Sequence, residues 1–184
     1  LNRRRSYKRR KTLYKLIIFD VDSTLTVTKS GATFRKTAHD WQWMLGRLSK
    51  LHQLKQAGVR LAIATNQGGV AFGYFEVADI LRELQAMARI AGIPKGGLYI
   101  CYTHPKASKE MFRAVDNRRK PGPGMLLEAM RDFEASPEET LYVGDLPEDE
   151  EAAKNAGVAF EWADKFFSED SHVAIQAPSD SSAK

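Results

Sequence analysis

The 184-residue chain carries one cysteine, Cys101. A single thiol excludes an internal disulfide and any metal site built from several cysteines; it fits a reducing compartment, and the cytoplasm is the expected location. No apolar run approaches the ~18 residues that a membrane span requires, so the chain is expected to be soluble. Acidic residues are missing from the N-terminal stretch: Arg3, Arg4, Arg5, Lys8, Arg9, Arg10, Lys11 and Lys15 all precede Asp20, the first carboxylate. The formal net charge of +5 therefore belongs to an arm, because the residues beyond 15 carry 20 basic against 23 acidic groups, a balance of −3. A basic arm over residues 1–15 can hold phosphate backbones, and it reads equally as a solvated tail.

What is present is enough for one globular unit. Hydrophobic residues make up 43% of the chain and charged residues 28%, and a chain of this length buries a full core. One domain is expected over residues 16–168, followed by a polar tail over 169–184 that is expected to be disordered. Short apolar runs at 16–19, 60–65, 98–101, 141–143 and 158–160 read as strands. Between them, stripes at three- and four-residue spacing read as helices. The first takes in Trp41, Met44, Leu45, Leu48, Leu51 and Leu54 and predicts a long helix from Trp41 to Ala57, capped by Asp40 and ended at Gly58. The second takes in Val77, Ile80, Leu81, Leu84, Met87 and Ala91, closed by Gly92. Residues 26–37 are polar and contain Ser30-Gly31, the pattern of a loop or small flap. Strands alternating with helices predict a three-layer α/β fold around a central parallel sheet.

The most informative stretch is Leu16-Ile17-Ile18-Phe19-Asp20-Val21-Asp22-Ser23-Thr24-Leu25. A strand buried on both faces ends in two carboxylates one residue apart, and in open α/β sheets the groups that meet ligands lie just beyond such strand ends. Alternation would turn Asp20 and Asp22 to one side, where they can share a cation. Three more polar clusters sit at element ends: Thr65-Asn66, Lys120 before a helix, and Gly144-Asp145 with Asp149. Taken singly these are ordinary turn and loop residues.

In this order, however, the clusters resemble the four motifs of the haloacid dehalogenase (HAD) superfamily of phosphohydrolases: Asp20-Val21-Asp22-Ser23-Thr24, then Thr65, then Lys120, then Gly144-Asp145 with Asp149. The resemblance spans about residues 16 to 168 and implies a Rossmann-like fold and a phosphatase. It implies Asp20 as the nucleophile that forms an aspartyl-phosphate, and Asp22 as general acid and then base. Mg²⁺ would be held by Asp20, Asp145 and the main-chain carbonyl of Asp22, with Asp149 a weaker candidate. Thr65 and the amide of Asn66 would bind phosphate oxygens, and Lys120, assisted by Arg119, would offset negative charge. Ser23 stands where the family most often has glycine.

Only about 35 residues separate the first motif from the second strand, which leaves no room for a large cap and implies an open site. Two subfamilies compete. Asn66-Gln67-Gly68-Gly69 and Arg119-Lys120-Pro121-Gly122-Pro123-Gly124 resemble the capless heptose bisphosphate and histidinol-phosphate phosphatases. Thr28-Lys29-Ser30-Gly31-Ala32-Thr33-Phe34 and Asp40-Trp41 resemble the flap of polynucleotide 3′-phosphatases, which brings Ser30 and Gly31 into the candidate substrate-binding set. Cys101 and His104 lie where the heptose group often carries a zinc loop, but the other cysteines are absent and no zinc is expected. The favoured substrate is a nucleic-acid 3′-phosphate end or a nucleotide, with a sugar phosphate as the alternative. A nucleic-acid-binding protein with a vestigial phosphatase site is the reading from another class.

Overall fold

Residues 14–168 are described in the computed structural model; residues 1–13 of the basic arm and the polar tail from 169 onward lie outside the described residues. Five parallel strands form the central sheet in the order β5-β4-β1-β6-β7: β1 (Leu16–Phe19), β4 (Arg60–Asn66), β5 (Leu98–Cys101), β6 (Thr140–Gly144) and β7 (Ala159–Trp162). β1 pairs with β4 on one side and β6 on the other. The chain order thus reverses beside β1, and the crevice beyond its carboxyl end is where such sheets bind ligands.

Period-two alternation divides the core between the two faces of the sheet. Ile17 and Phe19 of β1 point to the layer formed by α1 (Arg47–Gln56), α2 (Val77–Ala91) and α5 (Ala163–Phe166), where Leu51, Leu54, Ile80, Leu84 and Phe166 are buried. Leu16 and Ile18 point to α3 (Gly124–Asp132) and α4 (Pro147–Ala156), against Met125, Leu126, Ala152 and Ala153. The result is a three-layer α/β fold. Phe166 and Phe167 close the first layer, with Phe166 edge-on to Phe19 at 5.6 Å between ring centroids. No helix among the described residues is long and apolar enough to cross a membrane.

The long helix predicted from Trp41 to Ala57 is corrected to the shorter α1. Gln42–Trp43 instead form β3, an antiparallel partner of β2 (Thr26–Val27). Gly46, with φ +76°, turns the chain immediately before the helix, and Leu45 projects almost wholly into solvent. Asp40 does not cap this helix. Its carboxylate accepts from the Ser30 amide (2.8 Å), the Ser30 hydroxyl (2.6 Å) and the Lys36 amide (2.9 Å), so it ties down the loop that follows β2. The Ser30 hydroxyl bond, with the backbone bonds beside it, holds the Asp40 carboxyl down at about 2. Residues 28–37 therefore form a small flap held at both ends, and among the described residues no larger cap follows the first motif.

Ser23 adopts φ +62°, in the left-handed region that suits glycine. The motif's departure from glycine thus carries a backbone cost of about 1 kcal/mol. Ser23→Gly should raise the melting temperature by about 2–4 °C in thermal unfolding.

Candidate active site

Asp20 follows β1 directly, and its amide donates to the Val143 carbonyl at 2.9 Å, which fixes its backbone against β6. Asp20 is 5% exposed, and its carboxylate accepts from Lys120 Nζ at 2.6 Å. Lys120, placed just before α3, spends its other two protons on Asp149 Oδ1 (2.6 Å) and the Tyr142 hydroxyl (2.9 Å). A buried ammonium is tolerable only with such partners. Burial alone would lower the Lys120 pKa, but Asp20, Tyr142 and Asp149 hold it well above the ordinary lysine value. Burial pushes Asp20 up to about 7, with Lys120 opposing the rise and Asp149 and Asp22 adding to it.

Asp149, on the first turn of α4, is fully buried. Its second oxygen accepts from the amides of Asp145 (3.2 Å) and Leu146 (3.0 Å), so one carboxylate positions both Lys120 and the loop after β6. Gly144 is required by this arrangement, because a Cβ there would meet the Asp149 carboxyl carbon at 2.5 Å. The spacing of Gly144-Asp145 and Asp149 is thus a packing constraint as well as a chemical one.

Asp145 is oriented by Thr24, whose hydroxyl donates to Oδ1 at 3.0 Å. Burial raises the Asp145 pKa. Carboxylate oxygens of Asp20, Asp145 and Asp149 lie within 4.8 Å of one another, a convergence of hard oxygen donors. Three carboxylates facing one lysine leave excess negative charge in a poorly solvated crevice, and a divalent cation with oxygen preference fits that donor set. The Asp22 carboxylate is not one of these three. β1 ends at Phe19, so strand alternation no longer governs where Asp22 points.

Asp22 has different partners. Its Oδ1 accepts from Arg35 Nε (2.9 Å) and Nη2 (2.6 Å), and its Oδ2 accepts from Gln67 Nε2 at 3.0 Å. The same Gln67 amide donates to Thr65 Oγ1 at 3.0 Å. With its lone pair so engaged, the Thr65 hydroxyl keeps its own proton for an incoming acceptor. The Asn66 side chain forms a two-way bridge to the Lys120 backbone, donating to its carbonyl and accepting from its amide at 3.1 Å each, and so holds the lysine loop against β4. Ser30 and Gly31 lie on the flap, where the Ser30 hydroxyl is engaged by Asp40. Arg119 donates to the Thr103 carbonyl at 3.2 Å and lies beside Gly68. Cys101 Sγ sits 3.1 Å from the Thr103 hydroxyl, which donates to Asp116 at 2.8 Å; the His104 ring packs on Phe72 at 4.9 Å.

The sequence patterns did not single out Arg35, Gln67, Tyr142 or the role of Thr24. Tyr142 reads as one more core residue of an apolar strand, and Arg35 as a solvated flap cation. Their roles come from contacts with residues 13, 22, 45 and 121 positions away.

The model of the polynucleotide kinase 3 phosphatase family matches residues 15–181. The chain belongs to that family. It is similar to the D-glycero-beta-D-manno-heptose-1,7-bisphosphate 7-phosphatase of Pasteurella multocida, 33% identical over 147 residues that cover 78% of each chain. The Escherichia coli K12 enzyme of the same name is 33% identical over 145 residues, 77% of this chain and 74% of that one. Among solved structures, the D,D-heptose 1,7-bisphosphate phosphatase of B. bronchiseptica, complexed with magnesium and phosphate, superposes with a TM-score of 0.63 at 30% identity, covering 79% of this chain and 78% of that one. A HAD-like phosphatase from Mesorhizobium loti gives 0.67 at 26% identity, with 80% and 70% covered. This polynucleotide kinase 3 phosphatase family member is a HAD-type phosphatase with a three-layer fold, no large cap among the described residues and a three-carboxylate cluster that could hold a metal ion.

Proposed function

We propose that the enzyme is a Mg²⁺-dependent phosphomonoesterase that works through an aspartyl-phosphate on Asp20 and acts on 3′-phosphate ends of nucleic acids. The observation that carries the chemistry is the buried Asp20–Lys120 pair at 2.6 Å beside Asp145 and Asp149. Asp20, Asp145 and the Asp22 carbonyl are the residues that would hold Mg²⁺, and the ion would supply charge neutralisation to the phosphoryl oxygens and to Asp20. Asp149, whose oxygens already serve Lys120, Tyr142 and two amides, acts in this reading by positioning.

Asp20 attacks phosphorus and the bond to the leaving oxygen breaks, with Asp22 giving that oxygen its proton. Lys120 and the Thr65 hydroxyl offset charge that grows on the phosphoryl oxygens. Asp22, now ionised, takes a proton from water; the water oxygen attacks the aspartyl-phosphate, the bond to Asp20 breaks, and inorganic phosphate leaves. Each catalytic position is filled, which argues against a vestigial site.

For the substrate, the support is the flap itself and the exposed aromatics it carries or faces. Phe34, next to Arg35 on the flap, is 83% exposed, and Tyr74, 74% exposed, lines a groove of about 280 Å³ between Lys36–Ala38 and Gly73–Glu76 that is separate from the carboxylate cluster. Exposed rings suit stacking with the bases of a chain end. A sugar phosphate is the second reading, favoured by the names of the relatives above. Phosphate release from a 3′-phosphorylated oligonucleotide, its 5′ counterpart, heptose bisphosphate and histidinol phosphate, with and without EDTA, separates them. Strong preference for the 3′ end, lost on chelation, is expected; preference for heptose bisphosphate would replace the nucleic-acid reading.

A further inference from the structure

Arg35 has no part in the motifs, yet it makes the closest contact to the proposed acid/base. Its side chain is only 6% exposed, although the Asp22 it grips is half open to solvent. Nε and Nη2 both donate to Asp22 Oδ1, while Nη1 is buried without a hydrogen-bond partner. A buried guanidinium nitrogen with nothing to donate to is costly, and among charged donors it is the one best relieved by an anion. Lys120 has no such capacity, because Asp20, Asp149 and Tyr142 take all three of its protons.

The other partner has the complementary problem. Asp22 must present an oxygen to the leaving group, yet Oδ1 receives two N–H groups from Arg35 and Oδ2 receives Gln67. Asp22 is free for proton transfer at Oδ1 only when Arg35 lets go. The backbone that carries Arg35 is not free to withdraw, since Asp40 fastens the flap at Ser30 and at the amide of Lys36, the next residue. The movement available is that of the guanidinium itself.

We propose that Arg35 is a substrate-binding arginine, parked on Asp22 in the free enzyme, that passes to the phosphoryl group of the arriving phosphomonoester. A phosphate dianion outcompetes this carboxylate for the guanidinium, because it carries more charge and can accept in bidentate fashion, whereas Asp22 presents a single oxygen to Arg35. The transfer satisfies Nη1 and releases Asp22 Oδ1 in the same step, so the acid/base becomes available when its substrate is in place. The inference rests on the phosphatase reading of this site.

Inorganic phosphate, with Mg²⁺ present, is the probe. Its inhibition constant against p-nitrophenyl phosphate hydrolysis, and the rise in melting temperature it causes, are measured for the wild type, Arg35→Ala and Arg35→Lys. In Arg35→Ala the inhibition constant and KM should rise by about tenfold or more, the size of one lost charge-assisted contact. The thermal response to phosphate should fall in parallel, with Arg35→Lys between. Unchanged phosphate affinity with loss confined to kcat would overturn the proposal, since Arg35 would then only orient Asp22. The thermal response reads phosphate binding without turnover, so a wild type that binds phosphate but hydrolyses no ester would count against the phosphatase reading alone. A wild type that phosphate does not stabilise overturns the Arg35 proposal. Should Arg35→Ala fail to fold, the Arg35→Lys comparison carries the same test.

Discussion

Asp20→Asn should reduce phosphate release by at least about a thousandfold, the loss expected when a covalent nucleophile is replaced by an amide. The fold should survive. Asparagine keeps an oxygen where Lys120 Nζ donates at 2.6 Å, and Lys120 retains Asp149 and Tyr142 as partners. Circular dichroism and a melting curve check the fold, and a phosphate assay over a long incubation checks the activity. Activity within tenfold of the wild type would remove Asp20 from the chemistry and leave it a structural partner of the lysine.

Lys120→Met should inactivate the enzyme and also weaken it. The substitution leaves two fully or nearly buried carboxylates, Asp20 and Asp149, facing each other without their shared cation. Breaking a buried pair from one side costs about 3–5 kcal/mol, or on the order of 10 °C in melting temperature for a chain of this size. The loss should depend on pH in a definite direction. Asp20 is already raised by burial from 3.8 to about 7 with the lysine present, and removing the lysine raises it further. A carboxyl group whose folded pKa lies above its unfolded value contributes fully below the unfolded value, and that contribution is lost as pH rises through the folded one. In EDTA the melting-temperature deficit of Lys120→Met should therefore hold steady from pH 4 to about pH 6 and widen above pH 7, where Asp20 ionises in the wild type but stays protonated in the variant, as followed by calorimetry. A deficit independent of pH would mean that lost packing, rather than unpaired charge, is the cause.

The sheet was readable from its apolar runs because a strand buried on both faces has little else to be; β5 coincides with Leu98–Cys101, and α2 runs from Val77 to the Gly92 cap as its stripe and glycine predict. The stretch at Trp41–Leu45 misled for a physical reason. The stripe read at helical spacing passed over Trp43, which with Trp41 follows the two-residue alternation of extended chain. Trp41 and Trp43 stand perpendicular at 6.0 Å, and the Trp41 indole donates to Glu83 of α2 at 2.7 Å. Asp40 has the identity of a helix cap, but the flap offers it three donors, more than a helix start would supply.

At the site, the polar positions at strand and helix ends were legible: Asp20, Thr65, Lys120 and Asp145. Those whose role is to hold another side chain were not. Tyr142, Gln67, Thr24 and Arg35 act through contacts with residues 13 or more positions away, which leave no periodicity behind. Asp149 lies between the two groups: its spacing from Asp145 is visible in the sequence, but the use of its oxygens on Lys120, Tyr142 and two backbone amides is visible only in three dimensions.

The covalent role of Asp20 can be read directly by acid-quenching the enzyme during turnover of a 3′-phosphorylated oligonucleotide with Mg²⁺, then mapping peptides by mass spectrometry. The peptide containing Asp20 should gain the mass of one phosphoryl group, on a bond that alkali cleaves, and Asp20→Asn should show none. Rapid phosphate release with no modified peptide at any quench time, or with the phosphoryl group on another residue, would contradict Asp20 as the nucleophile.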